Sequence, residues 1–281
     1  MDENGKYDQR NKLNDLTGKE WLKLTKSYWI SEKCKDDKFA LKHPAPFMVK
    51  DIQKLISLFT KENMKVLDPF VGSGTTLLAS CNLNRLGYGI DLNENYISMT
   101  KERLESSEFQ ENKHYFVFLG DSNKKINEFD DEYFDYIVTS PPYHNILKNT
   151  ATGLRSDNSH KGFRNGTRQG VEYYSADKVD LGNQDTFDEF LILLSNIMKK
   201  GFKKLKPEKY CSIIISDFTI NKKEVCVQSH IVSVMEKIGF EFVGTTVLLQ
   251  DNKPLYPFGY PFAYKINHHH QNIINFRKTK D

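Results

Sequence analysis

A short apolar strand that runs into a glycine loop and then a helix commits a chain to a parallel α/β sheet, and residues 66–81 read that way. Val66 and Leu67 precede Asp68-Pro69-Phe70-Val71-Gly72-Ser73-Gly74-Thr75-Thr76, after which Leu77, Leu78, Ala79 and Cys81 suit the buried face of a helix. In that order the elements let a ligand approach bare backbone, with helix N–H groups facing it. The next apolar strand, Gly87-Tyr88-Gly89-Ile90, ends in Asp91, seventeen residues beyond Gly74. A carboxylate there is placed to accept hydrogen bonds from ribose hydroxyls.

The loop also excludes ligands. A nicotinamide cofactor wants a third Gly or Ala three residues after the second, where this chain has Leu77. A triphosphate loop wants a lysine, but Gly74 is followed by Thr75 and Thr76. What remains is a nucleoside without phosphates, for which S-adenosylmethionine is the candidate.

A second motif follows. Phe134-Asp135-Tyr136-Ile137-Val138 reads as a strand closing on Thr139-Ser140-Pro141-Pro142-Tyr143. Two adjacent prolines stiffen the loop and remove two N–H groups, so its carbonyls point in fixed directions beside a hydroxyl and an aromatic face. Such a loop can grip a flat ring that bears an amino group. By itself a Pro-Pro dipeptide is ordinary turn punctuation. Its place after a glycine-loop unit gives it more weight.

Together, residues 68–76 and 139–143 resemble the DNA amino-methyltransferases, which move a methyl group from S-adenosylmethionine to the exocyclic amino group of cytosine or adenine. The resemblance is strong over residues 19–143 and extends to His43-Pro44-Ala45-Pro46-Phe47, to Asp135, and to Gly120-Asp121, similar to the acidic turn that addresses the adenine. It implies a catalytic set of Ser140, Pro141, Pro142 and Tyr143. It implies a cofactor set of Pro46, Asp68, Pro69, Phe70, Gly72, Gly74, Thr75, Asp91, Leu92 and Asp121. It further implies a class I, Rossmann-like α/β fold, doubly wound, with a mainly parallel seven-stranded sheet and an antiparallel C-terminal hairpin. Restriction–modification members of that kind act on double-stranded DNA as monomers or homodimers, beside a separately encoded restriction endonuclease.

The remaining chain is consistent with this fold. Its 281 residues suit a single methyltransferase domain, 1–281. With 40 Lys and Arg against 37 Asp and Glu, a nucleic-acid surface has to come from charge placement and not from the total. Four cysteines without C-x-x-C spacing argue against a metal site or a disulfide framework and for a reducing cytoplasm. No apolar run is long enough for a membrane span. Residues 1–42 read as an N-terminal extension, frayed or a lid up to residue 17, with Trp21, Leu22, Leu24, Tyr28, Trp29 and Ile30 as a core-capping helix or a cover for the cofactor. Helices are expected over 94–105, 187–205 and 227–238, and strands over 115–119, 210–215, 240–249 and 273–276.

Residues 144–185 are the least regular stretch. Lys148, Arg155, Lys161, Arg164 and Arg168 stand there against one acid, Asp157, between residues 148 and 168, among glycines and small polar residues. A solvated insertion is one reading. A DNA-contacting loop that orders on the phosphate backbone is the other, favoured by its position after the Pro-Pro motif. The aromatic stretch Tyr256 to Tyr264 is the remaining candidate for DNA contact. His268-His269-His270 alternate faces in a strand, which disfavours metal ligation.

The chemistry expected is direct displacement. Ser140 Oγ and the Pro141 carbonyl would accept from the target amino group, and the base would leave the duplex to stack on Tyr143. Serine at the first motif position resembles the cytosine-N4 enzymes, while adenine N6 is the alternative. An RNA or protein methyltransferase and a catalytically silent DNA-binding relative are more distant readings.

Overall fold

The computed structural model describes residues 5–38, 47–144, 175, 177–220 and 223–280. In chain order, α1 (Gly18–Leu24) and β1 (Tyr28–Ile30) precede α2 (Val49–Phe59), β2 (Lys65–Asp68), α3 (Thr75–Asn82) and β3 (Leu86–Asp91). Then come α4 (Glu94–Glu105), β4 (Tyr115–Leu119), the short α5 (Ser122–Lys125) and β5 (Phe134–Thr139). The second half holds α6 (Phe187–Lys204), β6 (Leu205–Ile215), a β7–β8 ribbon (Phe218–Ile220 and Lys223–Val225), α7 (Val227–Ile238), β9 (Phe240–Leu249) and β10 (His270–Lys278).

Eight strands form one sheet in the order β1-β9-β10-β6-β5-β2-β3-β4. Only β10 runs antiparallel, against both β6 and β9, which is the expected C-terminal hairpin. Every residue of β5 is buried, as both faces of a central parallel strand must be. One face is covered by α6 and α7, through Phe190, Leu194, Ile197, Ile231 and Met235. The other is covered by α2, α3 and α4, through Ile52, Leu55, Leu77, Leu78 and Leu104. The sheet is therefore doubly wound.

The eighth strand corrects the expectation of seven. Tyr28–Ile30 pairs parallel with Val247, Leu248 and Leu249, and its alternation puts Trp29 inward at 6% exposure between two exposed neighbours. The helix expected there is only α1, which buries nothing; its Leu22 is 74% exposed. Nor are residues 5–17 frayed. Asn14 is fully buried and donates to the Leu58 carbonyl at 2.6 Å, while Asp15 pairs with the buried guanidinium of Arg85 at 2.9 Å.

Between β2 and β5 the strand order reverses: β3 and β4 lie to one side of β2, β5 and β6 to the other. Ligands in such sheets bind in the crevice beyond the strand ends at that switch point. Asp68 ends β2 and Thr139 ends β5, so the two sequence motifs meet there.

Candidate active site

The cleft at the switch point spans about 880 Å³ of non-atom space, the open solvent at its mouth included. From the cofactor motif it is lined by Asp68, Phe70, Gly72, Thr75, Asp91, Leu92 and Asp121; from the second motif by Ser140, Pro141, Pro142 and Tyr143. Both sets thus share one cavity. Pro69 and Gly74 are not in its wall. Pro69 turns its carbonyl to the Ser122 hydroxyl at 2.5 Å. Gly74 sits at φ +77°, and a Cβ there would lie 2.7 Å from Thr100, so this glycine serves the approach of α4 and not of a ligand. Pro46, Lys148, Arg155, Lys161, Arg164 and Arg168 lie outside the described residues.

Asp68 joins the two motifs. One carboxylate oxygen accepts from Thr139 Oγ1 at 2.6 Å and from the Phe70 N–H at 3.0 Å; the other accepts from Thr76 Oγ1 at 2.5 Å. Burial pushes its pKa up to about 6, against the pull of these donors. Thr139 immediately precedes Ser140, so this carboxylate fixes the root of the Pro-Pro loop.

Asp91 caps the glycine loop from the neighbouring strand, accepting from the Gly72 N–H at 2.8 Å and the Asn93 N–H at 2.9 Å. Burial raises it to about 7, and the nearby charges of Asp180 and Asp68 add to the rise. Asp121 accepts from the Asn123 N–H at 2.9 Å as the N-cap of α5. Asp135 stands elsewhere. It binds the Lys65 N–H and Lys206 Nζ at the far end of β5, where it ties strands together and cannot reach the cleft.

Tyr143 is a wall and not a free flap. Its ring packs on Phe218 with centroids 5.8 Å apart and 25° between planes. Its hydroxyl accepts from the Ser216 N–H at 3.0 Å and from Gln271 Nε2 at 2.9 Å, and Gln250 Nε2 in turn donates to Gln271 Oε1 at 3.1 Å. His144 turns away from the cleft to the Gln184 carbonyl, Nε2 at 3.1 Å.

Several site residues were not legible in the sequence. Asp180, Ser175, Val179 and Leu181 line the cleft from the stretch read as insertion, and no local pattern marks them. Arg103, on α4, is almost wholly buried and donates to the Ser73 carbonyl, Thr75 Oγ1 and the Asp36 carbonyl at 2.8–2.9 Å. Thr100, one turn away, donates to the Gly72 carbonyl at 3.0 Å. The only sequence signal was a Thr and an Arg spaced i, i+3 on the face that carries Leu104.

Among the described lining residues the charges are four carboxylates and no lysine or arginine. That donor set repels phosphates and favours a cationic ligand, which fits S-adenosylmethionine with its sulfonium and ammonium groups.

Comparison with known proteins agrees. Residues 2–102 match the model of the DNA methylase family. The type II methyltransferase M2.DpnII of Streptococcus pneumoniae is 38% identical over 101 residues, 36% of this chain and 35% of that protein. The type II methyltransferase M.HpaI of Haemophilus parainfluenzae is 52% identical over 54 residues, 19% of this chain and 17% of that protein. These matches span about a third or less of the relatives' own length. In structure, TrmN of Thermus thermophilus superposes with a TM-score of 0.51 at 15% identity, over 87% of this chain and 52% of that one, a likeness of fold alone. The matches support S-adenosylmethionine as the cofactor, and over residues 2–102 they make this chain similar to the DNA methylases, the type II methyltransferases of restriction–modification systems among them.

Proposed function

We propose that this chain methylates the exocyclic N4 of cytosine within a specific DNA sequence, using S-adenosylmethionine. The observation that carries the reading is the Asp68 bridge, which fastens a glycine loop suited to the donor to a Pro-Pro loop suited to an amino-bearing ring, in one acidic cleft.

The bound donor supplies a methyl group activated by its sulfonium charge. Gly72, Asp91, Leu92 and Asp121 would hold the nucleoside, with Asp91 accepting from ribose hydroxyls. An exocyclic amino nitrogen is a poor nucleophile because its lone pair is delocalised into the ring. Ser140 Oγ and the Pro141 carbonyl would accept its two N–H bonds out of plane, which favours the pyramidal transition state over the flat substrate. In that geometry the nitrogen would attack the methyl carbon in line, the N–C bond forming as the C–S bond breaks with its electron pair left on sulfur as a neutral thioether, and the surplus amino proton would pass out to solvent. No covalent enzyme intermediate is required. The amino group cannot reach this geometry inside a duplex, so the base is flipped out. Tyr143, already clamped by Phe218, Ser216 and Gln271, offers it a rigid face.

The basic insertion would hold the phosphate backbone. A separately encoded restriction endonuclease would share the recognition sequence, in the cytoplasm, with the methyltransferase working as monomer or homodimer. Labelled donor incubated with DNA of varied sequence and digested to nucleosides tests substrate and base together. N4-methylcytosine is expected. N6-methyladenine would replace the base and keep the mechanism, since a serine hydroxyl accepts from either amino group; label in RNA or protein alone would overturn the DNA reading.

A further inference from the structure

The connection from β9 to β10, residues 250–269, hangs from the sheet edge that holds the cleft. β9 runs in the direction of β5, so its C-terminal end lies on the ligand side, and Gln271 at the start of β10 holds the Tyr143 hydroxyl. This connection is braced. Asn267 clamps Tyr256 twice, accepting its N–H at 3.0 Å and donating to its carbonyl at 2.8 Å. The N–H groups of Phe262 and Ala263 both reach the Gly259 carbonyl, at 2.8 and 2.7 Å. Gly259 is at φ +77°, and a Cβ there would meet the Ala263 carbonyl oxygen at 2.2 Å, so only glycine closes the turn.

What the turn displays is apolar. Tyr260, Phe262 and Tyr264 are 73%, 89% and 91% exposed. Rings of that size are mostly buried in folded proteins, and a cluster of exposed ones marks an interaction surface. The flanks carry Lys253 and Lys265 against one acid, Asp251, which suits a polyanion. A base drawn into the cleft leaves a gap and an unpaired partner in the duplex, and aromatic side chains stack on bases so exposed.

We propose that Tyr260, Phe262 and Tyr264 form a stacking platform for the unpaired bases around the flipped nucleotide. The inference rests on the DNA reading above. It assigns separate tasks: stacking to this turn, phosphate contact to the basic insertion.

The test uses the full chain and two fluorescently labelled DNA duplexes, one fully paired and one with a short central run of mismatches. The parent should prefer the mismatched duplex. Phe262→Ala with Tyr264→Ala should lose roughly tenfold of that preference for each ring that stacks. Affinity for the paired duplex and its salt dependence should stay near the parent's, while Phe262→Trp with Tyr264→Trp keeps the preference. Donor binding and melting temperature, which exposed side chains should leave unchanged, serve as controls on folding. An alanine variant with the parent's preference overturns the inference, as does an equal loss on both duplexes. A parent dimer that the alanine variant dissolves, with DNA binding intact, assigns the surface to a second copy and overturns it too. If the parent methylates DNA in any of these cases, the DNA reading stands. If the parent neither binds nor methylates DNA, both fall.

Discussion

At Asp68 and Ser140 the residue types demanded by the chemistry sit where the backbone holds them still. The carboxylate that anchors the glycine loop also grips Thr139, the last residue of a strand buried along its whole length, and Ser140 follows it directly. Ser140→Ala should therefore leave donor affinity unchanged and lower the methylation rate by about a hundred- to a thousandfold, the usual loss for one transition-state hydrogen bond. Near-parent turnover, measured with labelled donor, would remove Ser140 from the mechanism. Tyr143→Ala is a poorer probe because it leaves a cavity and two unpaired donors; Tyr143→Phe keeps the ring. Asp91 makes the pH prediction. Its folded pKa of about 7 lies above that of an unfolded aspartate, so between about pH 4 and 7 the folded chain binds more protons, and its contribution to stability falls as pH rises through that window. A cationic donor prefers the ionised form, so donor affinity should rise with pH and level off above about 7. Asp180, Asp68 and Tyr96 face the same group. Asp91→Asn should flatten both profiles and weaken donor binding by about 1.5–3 kcal/mol. Calorimetry across this range that shows a parent-like pH slope in Asp91→Asn would assign the titration to Asp180 or Asp68.

Among the elements, those with an unbroken apolar period were legible: β4, β5, α4, α7 and β9 fall where the sequence put them, because one buried face or two set their pattern over a full element length. β1 was not. Three residues with one inward ring carry no period, and what makes them a strand is β9, more than two hundred residues away. The support of the glycine loop was hidden for a similar reason. Arg103 reads as one more charge on an exposed helix, yet α4 turns it inward to three acceptors on two other segments, and burial lowers its pKa to about 10. The close packing that a third loop glycine provides in dinucleotide folds comes here from the strand: a Cβ on Gly89 would lie 2.7 Å from Val71. Leu77 is thus no obstacle to a tight loop. Arg103→Met should strand the Ser73 and Asp36 carbonyls, cost about 2–4 kcal/mol of stability, and weaken donor binding although the side chain does not line the cleft. Parent-like donor affinity in a folded Arg103→Met chain would show that the loop holds its shape without it.

Over the whole chain the charges are unevenly distributed, which a net value of +3 conceals. The cleft wall carries Asp68, Asp91, Asp121 and Asp180, while residues 148–168 carry five cations against one acid. The acidic wall suits a small cationic ligand, and the basic run suits a polyanion. The sequence alone exposed the basic run, since charge clustering needs no fold to be seen; the acidic wall became visible only when four separate segments met. If Lys148, Arg155, Lys161, Arg164 and Arg168 meet phosphates, each neutralised contact releases about one counterion. Replacing Arg155, Lys161 and Arg164 by glutamine should then flatten the slope of log affinity against log salt by about 2–3 units, with donor affinity unchanged. The measurement separates the insertion from the aromatic turn, because stacking carries no counterion release. A triple variant that binds DNA with the parent's salt dependence would make the insertion a solvated loop and move the phosphate contacts elsewhere on the molecule.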